Sequence, residues 1–155
     1  MTHSYSKAAA AVAVVLFASH QTQAQQIETI SVIGARLPVQ QAQLSAALTK
    51  IDRAHIEASG AISVAELLRG QAGISLSQSG ARGAVTQVRM RGSEANHVLV
   101  MVDGVEINDL SDGGVDFAHL HLDNIASIEI LRGPQSALWG NGAVGGVISI
   151  TTLQA

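Results

Sequence analysis

The 155-residue chain is 47% hydrophobic, 14% charged and 3% aromatic, with 15 glycines, enough for one modest core and too little for two ordinary domains. Its formal net charge of −3 argues against a nucleic-acid partner, because the phosphate backbone selects basic surfaces. There is no cysteine, which excludes disulfide staples and thiolate metal sites.

The chain opens "MTHSYSKAAAAVAVVLFASHQTQAQQ". Lys7 supplies a positive first region, Ala8 to Ala18 an apolar one and Thr22-Gln23-Ala24 a small-residue cleavage signal, so residues 1–24 are expected to be a secretory signal peptide cleaved after Ala24. A membrane anchor is the weaker alternative, since a spanning helix needs about 20 apolar residues and this run is far shorter; a buried helix is the other. Losing Lys7 leaves a more acidic mature chain, and no later apolar run approaches a spanning helix.

Residues 25–40 hold a β-branched run, Ile27 to Ile33, between Gln-rich and Gly/Pro-containing stretches. It reads either as an extended segment on a flexible tether or as the first strand of the domain that occupies residues 41–155. Within 49–58, "TKIDRAHIEA", Ile51, Ala54, Ile56 and Ala58 recur at roughly helical spacing behind Thr49, predicting a short helix. A second is predicted in "SVAELLRG", where Ser63-x-x-Glu66 is a capping box and Gly70 a breaker. From Ile74 the period becomes two. "GISLSQ" and "AVTQVRMRG" alternate as strands, the latter with Thr86, Val88 and Met90 on one face. Val98 to Val102 is a continuous apolar strand turned by Asp103-Gly104 into Val105 to Ile107. "IASIEIL" (125–131) and "VISITT" (147–152) add two more. The expected fold class is α+β: a small mixed β-sheet with two or three short helices and glycine-rich loops.

Gly140-x-Gly142-x-x-Gly145 has the spacing of a dinucleotide fingerprint, but a β-branched run follows where a helix is required, and no acidic residue lies downstream. These glycines are expected to permit tight turns and close approach to a neighbouring wall. Glu106, Asp109, Asp112 and Asp116 invite a Ca²⁺ reading of the 106–116 loop. Fitted to an EF-hand from Asn108, it places Leu110 and His119 at ligand positions, so a solvated loop is the default and an irregular Ca²⁺ loop the alternative. His119 and His121 share a face if extended, without an evident third ligand. The Arg-Gly pairs at Arg69, Arg82, Arg91 and Arg132 are too dispersed, in too acidic a chain, for an RNA-binding segment. No nucleophile elbow or Ser, His and acid arrangement stands out, so no enzyme is expected.

In chain order, "ETISVIGAR", "SVAELLRGQAGIS", "VRMRGSEANHVLVMVDGVEIN" and "IASIEILRGPQSALWGNGAVGGVISITT" resemble the N-terminal plug domain of TonB-dependent outer-membrane receptors, most like the cobalamin-transporter branch. The resemblance spans nearly all of the mature chain. It implies that Glu28, Thr29, Ile30, Ser31 and Val32 form a TonB box, which pairs as a strand with a TonB-type periplasmic energy transducer. It implies that Arg91 and Arg132 form ion pairs with acids of an inner barrel wall. It also implies that loops carrying Ser79, Arg82, Ser93, Asn96, Asp109 and Asp112 face a chelate ligand such as a corrinoid or siderophore. No cofactor beyond the Ca²⁺ alternative is implied. The family continues into a barrel of about 22 strands, which should begin where this sequence ends at Ala155. The expectation is therefore a truncated product or a fragment, or else a plug encoded apart from its barrel. It is exported, and lies in the outer membrane if joined to a barrel and in the periplasm otherwise. A free periplasmic binding or interaction protein with the same fold is the alternative function.

Overall fold

The computed structural model of the chain describes residues 48–153. The expected signal peptide, the tether and the Glu28–Val32 segment lie outside the described residues.

The first described element departs from expectation. Residues placed at the start of a helix by local spacing form instead a strand, β1 (Leu48–Ile51), paired antiparallel with β6 (Ile125–Arg132) so that Leu48 opposes Leu131 and Ile51 opposes Ile128. The pairing buries Ile51, which spacing within the segment itself cannot report. The helix, α1 (Arg53–Ser59), starts later because the Asp52 carboxylate accepts the His55 amide hydrogen at 2.8 Å, and it ends where Gly60 takes a left-handed φ of 65°. Helix α2 (Val64–Arg69) follows. Ser63 Oγ accepts from the Glu66 amide at 3.3 Å as the capping box predicts, but the Glu66 carboxylate reaches one residue further back, to the Ile62 amide at 3.0 Å.

Strands β2 (Ile74–Gln78) and β3 (Thr86–Met90) make a separate antiparallel ribbon, and the buried face of β3 is the predicted one of Thr86, Val88 and Met90. Strand β4 (Val98–Val102) turns into β5 (Val105–Glu106). The turn residues Asp103 and Gly104 both have positive φ, 50° and 83°, as a two-residue hairpin of this hand requires. Thr152 donates to the Asp103 carboxylate from its amide (2.9 Å) and hydroxyl (2.7 Å), tying the hairpin tip to the end of β7 (Gly146–Thr152). A third short helix, α3 (Ser136–Trp139), sits between β6 and β7.

The main sheet has the order β1-β6-β7-β4-β5, with β4 and β7 parallel and the other pairs antiparallel. This is the mixed sheet and α+β class expected. One face carries Val98, Val100, Ile128, Ile130, Ile148 and Ile150 against Leu67 and Leu68 of α2, Val88 and Met90 of β3, and Phe117. The other packs Leu99, Met101, Leu131 and Val147 against Ala143. Burial on both faces explains why β4 reads as an apolar run without alternation.

The glycines before β7 are placed by contact and by turn geometry. Gly140 has φ 82°, which suits glycine. A side chain at Gly145 would overlap the Ser93 hydroxyl and lie 3.1 Å from the His97 carbonyl oxygen; one at Gly146 would overlap the Leu131 carbonyl oxygen and lie 2.6 Å from Met90 Sδ. At Gly142 the nearest atom, Leu99 Cδ1, is at an ordinary 3.7 Å. Gly146→Ala is therefore expected to destabilise the full chain by about 1–3 kcal/mol through overpacking, against the stabilisation usual for Gly→Ala at permissive sites. Gly142→Ala should be close to neutral. Denaturant unfolding of the two variants checks the contrast.

Candidate functional site

Arg91 and Arg132 come from the ends of different strands, and one turn gathers them. After α2 the chain presents two successive carbonyls. Arg132 Nε donates to Ala72 O at 2.7 Å and the Arg91 amide donates to Gly73 O at 2.9 Å. A second Arg132 nitrogen, Nη1, donates to Thr49 Oγ1 of β1 at 2.7 Å. Arg91 is held in the left-handed region, φ 50°, followed by Gly92 at 78°, and the Ser93 amide closes the turn onto Met90 O at 2.9 Å. Such a backbone at a β-strand end is uncommon for a non-glycine residue and has to be sustained by its surroundings.

The two guanidinium groups are neighbours. A side chain at Gly73 would meet Arg132 Cδ at 3.7 Å and Arg91 Cγ at 3.9 Å, and one at Gly133 would come within 3.2 Å of Arg91 Nη1. Gly73 and Gly133 thus leave room for the arginines to lie alongside. Burial first, and then the Arg91 charge, pull Arg132 below an arginine's ordinary value. Both remain cations, since arginine does not deprotonate in proteins. Among the described residues the ion pairs are Lys50–Glu129, Arg53–Glu57 and Arg82–Glu66, so no carboxylate of this region neutralises either member of the pair. Two adjacent forked donors of this kind can take up carboxylates in bidentate fashion.

The loop residues proposed from sequence separate into groups. Asn96 and Asp112 line one cleft of about 300 Å³ with Gln87, Arg89 and Glu94, and Gly113 packs directly on Asn96. Arg82 lines a second cleft, about 340 Å³, where it meets Glu66 at 2.9 Å near Arg69 and Gln78. Ser79 lies on the same loop, bonded through its amide to Val85 O at 3.1 Å. Ser93 does not join these clefts, because it faces Gly145 in the joint before β7. Leu110, at the tip of the 108–114 loop, is fully exposed.

Three of the acids of the 106–116 stretch are engaged one by one by nearby backbone and side-chain groups. Asp109 accepts from the Ser111 hydroxyl (2.6 Å) and amide (2.7 Å), Asp112 from the Gly114 amide (2.8 Å), and Asp116 from the amides of Thr86 and Ala118 (2.9 Å each). Among the described residues no three His, Asp or Glu side chains gather around a common point. His119 and His121 are both exposed.

The sequence offers Asn108 only as a possible ligand, and its position shows a different task. Its side-chain oxygen accepts the Val100 amide hydrogen at 2.8 Å, and its nitrogen donates to Val98 O at 2.9 Å and Gly113 O at 2.7 Å. The side chain completes the edge of β4 and ties it to the loop. A lone Asn one residue past a short hairpin strand was the available signal.

The scan against family models matches residues 40–147 to the TonB-dependent Receptor Plug Domain. The chain belongs to the TonB-dependent receptor plug family. Among curated relatives it is 38% identical over 133 residues to the vitamin B12 transporter BtuB of Vibrio vulnificus strain CMCP6, covering 86% of this chain and 22% of that protein. It is 39% identical over 107 residues to BtuB of Photobacterium profundum, covering 69% and 18%. The chain thus spans about a fifth of the length of these relatives. Among solved structures it is similar to the siderophore receptor PirA of Acinetobacter baumannii (TM-score 0.57, 28% identity, 70% of this chain and 17% of that one) and to the ferric yersiniabactin uptake receptor FyuA of Yersinia pestis (0.53, 30%, 69% and 17%).

Two outcomes follow from the plug's loop chemistry. Asn108→Ala strands the Val100 amide and the Val98 carbonyl, and is expected to destabilise the chain by about 1–3 kcal/mol, read by chemical unfolding. The Asp116 carboxyl is held below its ordinary 3.8, chiefly by the Thr86 amide. A lowered folded value favours the ionised fold, so this stabilisation is full above the unfolded value and disappears as pH falls through the folded one. Asp116→Asn should therefore unfold at lower temperature than the parent at about pH 7, with the gap narrowing as pH falls below the ordinary 3.8; a gap independent of pH would contradict the assignment.

Proposed function

We infer that the chain is the plug of an outer-membrane active-transport receptor for a scarce chelate, with a gating and energy-coupling role and no catalysis of its own. The observation that carries this is the Arg91–Arg132 pair, two adjacent cations without a carboxylate among the described residues. Holding two like charges together is costly unless anions meet them. Acids on the inner wall of an enclosing barrel would supply those anions, whether the barrel is in the same longer chain or a separate one. In this reading the pair seats and orients the plug.

A corrinoid is the first choice of chelate and a ferric siderophore the second, because the curated relatives are vitamin B12 transporters while the similar solved receptors take ferric siderophores at lower identity. The clefts at Asn96–Asp112 and Arg82–Glu66, with Leu110 exposed on the same loop as Asp112, offer mixed polar and apolar contacts of the kind a bulky chelate needs. Glu28 to Val32 would add as a strand to the periplasmic transducer, through main-chain bonds indifferent to most side chains but not to proline. The signal at residues 1–24 would deliver the chain across the inner membrane, and the outer membrane is its proposed location.

The test uses cells that depend on the receptor containing this chain. Ile30→Pro is expected to abolish energised uptake of cyanocobalamin while leaving equilibrium binding intact, and uptake at the parental rate would overturn the coupling role. Replacing Arg91 and Arg132 together by Ala should leave the transducer segment competent but loosen the plug in its barrel, read as protease sensitivity of the purified receptor.

A further inference from the structure

We propose that β1 and Arg132 form one latch, so that detaching β1 from the sheet edge releases the Arg132 guanidinium and loosens the turn that holds Arg91. The source of the pull rests on the transport reading above; the latch itself rests on the geometry that follows.

Strand β1 is terminal in the sheet order and its pairing with β6 covers four positions. Because the pair is antiparallel, the first residue of β1, Leu48, lies opposite Leu131, next to Arg132 at the end of β6. Thr49 and Arg132 lie on the same face as diagonal neighbours, since Thr49 opposes Ile130, and their side chains are joined by the 2.7 Å hydrogen bond. Tension applied to the chain before Leu48 falls first on this end of the ladder. The first side-chain tie it breaks on this face is the one that positions Arg132. A cross-strand ion pair, Lys50–Glu129 at 3.7 Å, lies one residue further along on the opposite face.

Release would spread from there. With Thr49 gone, the remaining side-chain tie of Arg132 in the described region is Nε to Ala72 O, within the same turn whose Gly73 O receives the Arg91 amide. Arg132 is half-buried beside a like charge, so losing a bonding partner weakens its hold within the plug. Strand β1 is thereby wired to both arginines through one hydroxyl and the turn at residues 71–74. Thr49 is a positioning residue in this device.

Hydrogen exchange followed by mass spectrometry tests the latch on the full chain in its receptor. Thr49→Val keeps the size and strand preference and removes the hydroxyl; Thr49→Ser restores it. The Val variant is expected to accelerate exchange in β1 and also in residues 71–74 and at Arg91, none of which pairs with β1, by about tenfold, the scale of one hydrogen bond to a charged group. The Ser variant should return all three regions to the parental rate. Acceleration confined to β1 and β6, no acceleration at all, or failure of Ser to restore would each overturn the proposal. No transducer takes part in the measurement, so its outcome is independent of the uptake result for Ile30→Pro.

Discussion

The structure depends on how closely β6 and β7 are allowed to approach at their shared end. Arg132, the last residue of β6, lies opposite Gly146, the first of β7, and at Gly146 there is no room for even one carbon between the Leu131 carbonyl and Met90 Sδ. That contact lets β7 lie between β6 and β4, which brings the two hydrophobic faces of the sheet into being. It also sets where Arg132 emerges. A larger residue would push the strands apart at the point from which the arginine pair is built.

The arginine pair inverts the usual logic of a buried charge. Within a folded domain a half-buried cation is normally met by a carboxylate, because desolvation without compensation is unfavourable. Here neutral oxygens of Thr49 and Ala72 hold Arg132, and a second cation stands next to it. The acids of the region are used differently. Asp103 pins a hairpin tip to β7, Asp109 and Asp112 close turns of one loop, and Asp116 ties that loop to β3 through the Thr86 amide. Charges that shape the plug are thus satisfied within it, whereas no carboxylate among the described residues forms an ion pair with Arg91 or Arg132.

The elements legible in the sequence were those whose cause is local. The alternation of β3 exposed its buried face, Asp103-Gly104 announced its hairpin through the positive φ that both residues take, and Ser63-x-x-Glu66 marked the start of α2. Strand β1 was not legible because its burial comes from Ile128 and its neighbours, far along the chain. The loop residues were legible as polar loops, but their division into separate clefts, with Ser93 turned away towards Gly145, depends on which loops touch. Asn108 was visible as a residue and opaque as a role, since its three partners lie on a strand and a loop that only folding brings to it.

By itself the sequence determined the class of fold and the family, because periodicity, turn chemistry and ordered motifs are properties of neighbouring residues. The tertiary structure alone decided that Gly145 and Gly146 answer to packing, that β4 and β7 run parallel, and that Thr49 and the Ala72–Gly73 turn hold Arg91 and Arg132 side by side. Each of those facts is a meeting of segments distant in the chain, and such meetings are selected by the burial of the whole sheet and not by the preferences of any one stretch.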